Sequence, residues 1–100
     1  MKVYCIDIDG TLFDSNCPDY HIVNVRSEVI KKVNDLYNAG NYIKLFTARG
    51  SGTERDWADH THEQLLKYGV KFHELRFGKP MADYYVDDRN MSIEEFLKCT

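Results

Sequence analysis

Apolar positions recur along this chain with two periods. Apolar-rich runs at about 2–7, 41–47, 70–75 and 83–87 predict strands, and helical spacing marks about 25–39, 54–68 and 92–99. The first helix sets Val25, Val29, Val33 and Leu36 on one stripe and stops at Asn38-Ala39-Gly40, a glycine suited to the position just past a helix end. The second opens with Thr53-Glu54-Arg55-Asp56, which has the form of a capping box, shows Trp57, Thr61, Leu65 and Tyr68 at helical spacing, and ends at Gly69. Ser92-Ile93-Glu94-Glu95 opens the third in the same way. Strands alternating with helices predict an α/β fold with a parallel sheet and helices on its faces. Only residues 76–82 join the third and fourth predicted strands, short for a helical crossover, so either the third strand is truncated or the linker holds one turn.

Composition narrows the class. At 100 residues, 43% hydrophobic and 29% charged, the chain reads as one globular domain spanning 1–100, without repeats or Pro/Gly-rich linkers. Its core is modest, and thirteen aromatic residues offer contact area for a homo-oligomer. A net charge of −3 gives no general attraction for nucleic acid, so any phosphate affinity must be local. No apolar stretch is long enough for a bilayer, and the N-terminus runs straight into a predicted strand, leaving no room for a signal peptide; the expectation is a cytoplasmic protein without a membrane partner. Cys5, Cys17 and Cys99 have unrelated spacings and read as free thiols, with Cys5 expected to be a small buried residue of the first strand.

The chemistry concentrates where predicted strands end. In Tyr4-Cys5-Ile6-Asp7-Ile8-Asp9-Gly10-Thr11-Leu12, an apolar run gives way to two carboxylates at i, i+2 and a Gly-Thr turn. Residues two apart on a strand point the same way, so Asp7 and Asp9 can converge while Gly10 lets the backbone turn. Thr47 closes Tyr42–Phe46, Lys79 precedes Pro80, and Asp87-Asp88 closes Tyr84-Tyr85-Val86. The segments ending in Asp7, Thr47 and Asp87 all fall at carboxyl ends of predicted strands, where open α/β sheets bind ligands.

Asp-x-Asp-Gly-Thr after an apolar run, followed in order by Thr47, Lys79 and the Asp87-Asp88 pair, resembles the haloacid dehalogenase (HAD) superfamily of phosphohydrolases. The motifs cover almost the whole chain. The resemblance implies a three-layer, Rossmann-like parallel sheet with helices on both faces and strand order 4-1-2-3, so that Asp7 and Asp87 face each other. Neither the span from Leu12 to Phe46 nor that from Ala48 to Gly78 has room for a cap domain, so the chain is similar to the smallest, capless members.

The mechanism implied is attack by Asp7 on phosphorus, giving an aspartyl-phosphate that water hydrolyses, with Asp9 as acid and then base. Thr47 would bind a phosphoryl oxygen and Lys79 would balance charge. Gly10 and Thr11 would wrap the phosphate with backbone N–H groups, and Arg49 is a candidate for contacting the rest of the substrate, against the equally weighted reading of a solvated loop arginine. If Asp7, Asp9, Asp87 and Asp88 lay within about 5 Å of one another, each ionised pair would repel by on the order of 3 kcal/mol at an effective dielectric near 20, so such a cluster requires a cation. Oxygen-only ligands favour Mg²⁺, with Asp9 also giving its backbone carbonyl in family members, and with the choice between Asp87 and Asp88 left open.

The reading is therefore a Mg²⁺-dependent phosphomonoester hydrolase acting on a phosphorylated small molecule. Thr-Ala-Arg-Gly with Trp57, Gln64-Leu65 and Phe77–Pro80 looks like small HAD proteins of bacterial polysaccharide and sugar-phosphate metabolism. Alternatives are a phosphotransferase, a polynucleotide phosphatase, to which Asp87-Asp88-Arg89 is similar, and a non-catalytic phosphate-binding or regulatory module. In receiver domains the phosphoacceptor Asp ends a strand in mid-sequence, where this chain has Thr47. Trp57, His60 and His62 read as packing and surface residues, because side chains at i, i+2 on a helix diverge. Asp14 and Ser15 follow the first motif and read as loop polarity.

Overall fold

Strand β1 (Val3–Asp7) pairs in parallel with β2 (Tyr42–Thr47), and β2 pairs in parallel with β3 (Glu74–Phe77), giving a sheet of order β1-β2-β3. This computed structural model describes residues 1–14, 24–49 and 57–99. Helix α1 (Ser27–Asn38) connects β1 to β2, α2 (Ala58–Lys67) connects β2 to β3, and α3 (Ile93–Lys98) closes the chain.

Register sorts the side chains onto two faces. Tyr4 lies opposite Ile43, Ile6 opposite Leu45, and Leu45 opposite Leu75, and this face enters the core. The other face carries Cys5, Lys44, Glu74 and Arg76, with Glu74 accepting hydrogen bonds from Tyr42 Oη at 2.7 Å and Arg76 Nε at 2.9 Å. Cys5 is consequently exposed. The expectation of a buried Cys5 fails because it shares parity with Asp7 rather than with Ile6. Cys5 and Cys99 are free thiols, and Cys17 lies outside the described residues.

A single apolar cluster joins Ile6, Ile43 and Leu45 to Val29, Ile30, Val33 and Leu36 of α1, Leu65 of α2 and Phe96 of α3. Two right-handed crossovers that progress in one direction across a sheet, β1 to β2 and β2 to β3, put both helices on the same face. Helix α3 packs on α1, and Phe96 meets the Tyr4 ring edge-on. The described helices thus form one layer, rather than layers on both faces.

Predicted elements return with altered ends: β3 runs over Glu74–Phe77 rather than the predicted 70–75, and the other elements are trimmed. Helix α1 begins at Ser27 because Val25 is held in a bridge to Phe13. The predicted capping box at Thr53–Asp56 lies outside the described residues, and α2 starts after Trp57 with no side-chain cap. In α3 the box is complete: Ser92 Oγ accepts from the Glu95 N–H at 3.1 Å, and Glu95 Oε1 accepts from the Ser92 N–H at 3.2 Å.

The predicted strand at 83–87 does not form, and residues 81–90 are exposed throughout. The connection leaving Phe77 is short for a crossover back to the outer edge of β1, and the sheet of the described residues has the order β1-β2-β3 in place of the expected 4-1-2-3, despite the strand-forming Tyr84-Tyr85-Val86. No described helix is long and apolar enough to cross a membrane.

The cap on α3 and its buried anchor should separate in magnitude. Ser92→Ala is expected to cost about 1 kcal/mol, and Phe96→Ala, which empties a site in the core, about 3 kcal/mol; urea unfolding of both variants checks the order.

Candidate active site at the carboxyl ends of β1 and β2

The turn after β1 is built around one acceptor. The Ile8 carbonyl accepts from the N–H groups of Thr11 at 3.2 Å, Leu12 at 2.9 Å and Phe13 at 3.1 Å. Gly10 adopts φ +87°, a conformation that side chains rarely tolerate, and donates its own N–H to the Phe13 carbonyl at 2.6 Å. Ile8, Leu12 and Phe13 are fully buried, so the turn is pinned by the core beneath it. The expected role of Gly10 and Thr11 is not met in this arrangement: their N–H groups are engaged inside the turn, and neither residue lines the cleft.

That cleft, of about 280 Å³, is lined by Asp7, Asp9, Thr47, Ala48 and Arg49 on one side and by Met81, Ala82 and Tyr85 on the other. Asp7 ends β1, Asp9 follows two residues later, and Thr47 ends β2. Thr47 Oγ1 accepts from the Arg49 N–H at 3.0 Å, which leaves its own proton to donate.

Lys79 reaches the same place from beyond β3. Gly78 turns the backbone at φ +88°, and the Lys79 N–H then donates to the Thr47 carbonyl at 3.1 Å. From there Lys79 Nζ stands 3.4 Å from Asp7 Oδ1 and 4.2 Å from the centre of the Tyr85 ring. Tyr85 is tied back by its hydroxyl, which donates to the Pro80 carbonyl at 2.5 Å.

Burial pushes the Asp7 carboxyl above its ordinary value. The Lys79 ammonium and a hydrogen bond from the Ile8 backbone pull it down, the charge of Asp9 adds to the rise, and the net direction is upward.

Arg49 is neither a solvated arginine nor one reaching for substrate. Its Nε donates to Asp9 Oδ2 and its Nη2 to Asp9 Oδ1, both at 2.8 Å, while Nη1 donates to Gln64 Oε1 at 2.7 Å and Thr61 Oγ1 at 3.3 Å. Its guanidinium carbon lies 5.7 Å from the centre of the Phe13 ring. The Arg49 side chain has no exposed surface, against 24% for Asp9. The contacts of Arg49 with Gln64 and Thr61 were not anticipated from sequence. Their signal was two polar residues at i, i+3 on the inward stripe of α2.

Asp87 and Asp88 stand apart from this group. Both are exposed, Asp87 Oδ1 accepting from the Arg89 N–H at 2.7 Å and Asp88 lying 4.0 Å from Arg89 Nε. The missing fourth strand is the reason. Among the described residues no three His, Cys, Asp or Glu side chains group to hold a metal ion. Asp14 pairs with Arg26 at 3.3 Å, Trp57 packs edge-on to His60, and His62 packs against Phe72, all away from the cleft; Ser15 lies outside the described residues.

The chain is thus a small α/β protein with acidic, hydroxyl and cationic side chains gathered at the carboxyl end of a three-stranded parallel sheet. No protein-family model matches it, and neither does any curated protein. Among solved structures, a protein from Vibrio cholerae is similar at 32% identity and a TM-score of 0.85, over 100% of this chain and 90% of that one. The chain belongs to the family of that Vibrio cholerae protein. A D,D-heptose 1,7-bisphosphate phosphatase from B. bronchiseptica, solved with magnesium and phosphate, aligns at 18% identity and a TM-score of 0.48, over 90% of this chain and 54% of that one. That likeness is too distant to bear on the site.

A carboxyl whose folded-state value is raised stabilises the fold below its unfolded value and loses that contribution as pH rises through the folded one. At pH 7 ionised Asp7 therefore opposes folding. Asp7→Asn is expected to unfold at a higher temperature than the unmodified chain at pH 7, with the difference shrinking towards about pH 4, where an ordinary carboxyl takes up its proton. Thermal melts across that range check it, and a lower melting temperature for the variant at pH 7 would contradict the dominance of burial over the Lys79 pair.

Proposed function

We propose that this chain is a phosphomonoester hydrolase of HAD type with Asp7 as nucleophile. The observation that carries the proposal is the convergence of Asp7, Asp9 and Thr47 on one cleft, with Lys79 Nζ 3.4 Å from Asp7 Oδ1, from segments far apart in sequence.

In the proposed reaction an Asp7 oxygen attacks phosphorus while the ester P–O bond breaks, and the leaving oxygen takes a proton from Asp9. Water, giving a proton back to Asp9, then attacks the phosphorus of the aspartyl-phosphate. The P–O bond to Asp7 breaks, returning its carboxylate and releasing inorganic phosphate. Thr47 donates its hydroxyl proton to a phosphoryl oxygen. Lys79 offsets the negative charge that Asp7 and the phosphate bring together, more effectively in a half-buried site than in open water.

The donor chemistry suits Mg²⁺ as cofactor. The acidic side of the cleft offers carboxylate oxygens without His or Cys, and Mg²⁺ takes one or two carboxylates together with waters and phosphate oxygens. Asp7 would hold it, with the backbone carbonyl of Asp9 as a second donor by family resemblance. Asp87 and Asp88 are not part of this donor set as described. When bound, the ion would neutralise charge on the transferring phosphoryl group.

A cleft of about 280 Å³ accommodates a phosphate and a small organic group. Met81, Ala82 and Tyr85 give its outer wall an apolar, aromatic character that fits the carbon face of a sugar, so a sugar phosphate or related metabolite is the proposed substrate class.

Steady-state phosphate release from a panel of sugar phosphates, nucleotides and an aryl phosphate tests the reading. Multiple turnovers that require Mg²⁺ and fall to background in Asp7→Asn are expected, with Thr47→Val reduced about 100-fold, the scale of losing one phosphoryl-oxygen donor. At most one phosphate per chain would instead identify a binding or regulatory module, and activity unaffected by Asp7→Asn would remove Asp7 as nucleophile.

A further inference from the structure

We propose that Arg49 is a positioning residue. Its guanidinium, braced by Gln64 and Thr61 of α2, fixes the Asp9 carboxylate in the orientation from which it exchanges protons at the cleft. This inference rests on the hydrolase reading above and assigns what sets its proton-transfer group in place.

Four hydrogen bonds of the guanidinium define its setting. Nε and Nη2 form a two-bond fork on Asp9, both at 2.8 Å, and Nη1 is held by Gln64 and Thr61. With no side-chain surface exposed, Arg49 cannot extend to a substrate without leaving the core. Rotation of the Asp9 carboxylate would break both fork bonds together. Each carboxylate oxygen nonetheless has a second lone pair, so the fork orients Asp9 and leaves it able to exchange protons.

The distribution of polarity supports a positioning role over simple packing. Arg49, Thr61 and Gln64 are buried polar residues in a protein whose core is otherwise largely aliphatic and aromatic. Their polar atoms meet one another and converge on Asp9, a cleft-lining carboxylate that is itself partly exposed. An Ångström-scale misplacement of a reacting group is enough to cost large factors in rate. Lysine at this position would keep the charge and lose the fork, because an ammonium is a point donor without planar geometry.

The experiment compares kcat/KM for 4-nitrophenyl phosphate, whose leaving group departs with little help from an acid, and glycerol 2-phosphate, whose alkoxide needs a proton. This parameter reports the steps through transfer of phosphorus to Asp7. Arg49→Lys is expected to lose about 100-fold on glycerol 2-phosphate, within the range of a general acid's contribution, and less than about 5-fold on the nitrophenyl ester. Asp9→Asn should show the same selectivity, and adding Arg49→Lys to it should cost little more. Gln64→Met, which retains Arg49 and removes one brace, should show a smaller loss of the same selectivity, and carries the test if melting shows Arg49→Lys unfolded. An equal loss on both esters, no loss, or a full further loss on top of Asp9→Asn would overturn the positioning role while leaving the hydrolase reading intact. Absence of turnover by the unmodified chain on either ester would reject both.

Discussion

The parallel register of β1 on β2, which sets Ile6 beside Leu45 in the core, is the constraint on which the rest of the molecule depends. Side chains alternate along a strand, so a slip of one residue would drive Asp7 and Cys5 into the apolar cluster and turn Ile6 outward. Burial of Ile6, Ile43 and Leu45 makes that slip costly and so fixes the height at which each strand stops. Asp7 then lies opposite Phe46, one residue short of Thr47. Asp7 arrives from the polar face and Thr47 from the core face. They meet at the rim because both strands end there.

The two cleft acids are held by different physics. Asp9 is joined to a cation built into the interior, a buried guanidinium that donates to Asp9, Gln64 and Thr61. Asp7 faces a half-buried lysine on a short turn, and the attraction does not overcome the loss of hydration, so its carboxyl is displaced upward. A half-buried carboxyl raised above its ordinary value beside a cation is the kind of perturbed group that functional sites gather. Its companion Asp9 is held instead by two hydrogen bonds from Arg49. Proton transfer and nucleophilic attack thus fall to groups with separate supports.

Much of this could be read from the chain. Helical spacing located the apolar stripe of α1, Ser92 and Glu95 marked the start of α3, and the change from apolar residues to Asp7 and Asp9 marked the end of β1. Strand ends group Asp7 and Thr47 on one rim, as the structure has them, but the same argument puts Asp87 there too, which the structure does not, and Lys79 comes only with the family resemblance. Sequence reading failed where local preference met a long-range limit. Tyr84-Tyr85-Val86 has strand-forming side chains, but only six residues separate it from Phe77, short for a crossover between parallel strands, so local propensity does not make the strand. Helices are expected on both faces from the alternation of strands and helices and from the family resemblance, whereas the described helices share one face and residues 78–92 contain none. Arg49 was judged from the usual exposure of arginines; only tertiary structure brings its partners on α2 and at the end of β1 together. Cys5 was within reach of sequence reasoning, since strand parity alone groups it with Asp7.

The fold also explains why helix α2 matters to a site that it does not line. Through Thr61 and Gln64 it holds Arg49, and through Arg49 it holds Asp9, so its inward polar residues bear on the cleft at one remove. Asp7 depends instead on the segment after β3, where the Thr47 carbonyl anchors the Lys79 backbone and Tyr85 lies against the Lys79 side chain. Thr47 is common to both supports: its hydroxyl oxygen accepts from Arg49 and its carbonyl from Lys79. The end of β2 therefore ties the two acid–cation pairs into one unit, and a displacement of this strand end would disturb both pairs together, whereas a change in α2 or in the 78–85 segment would reach one pair first.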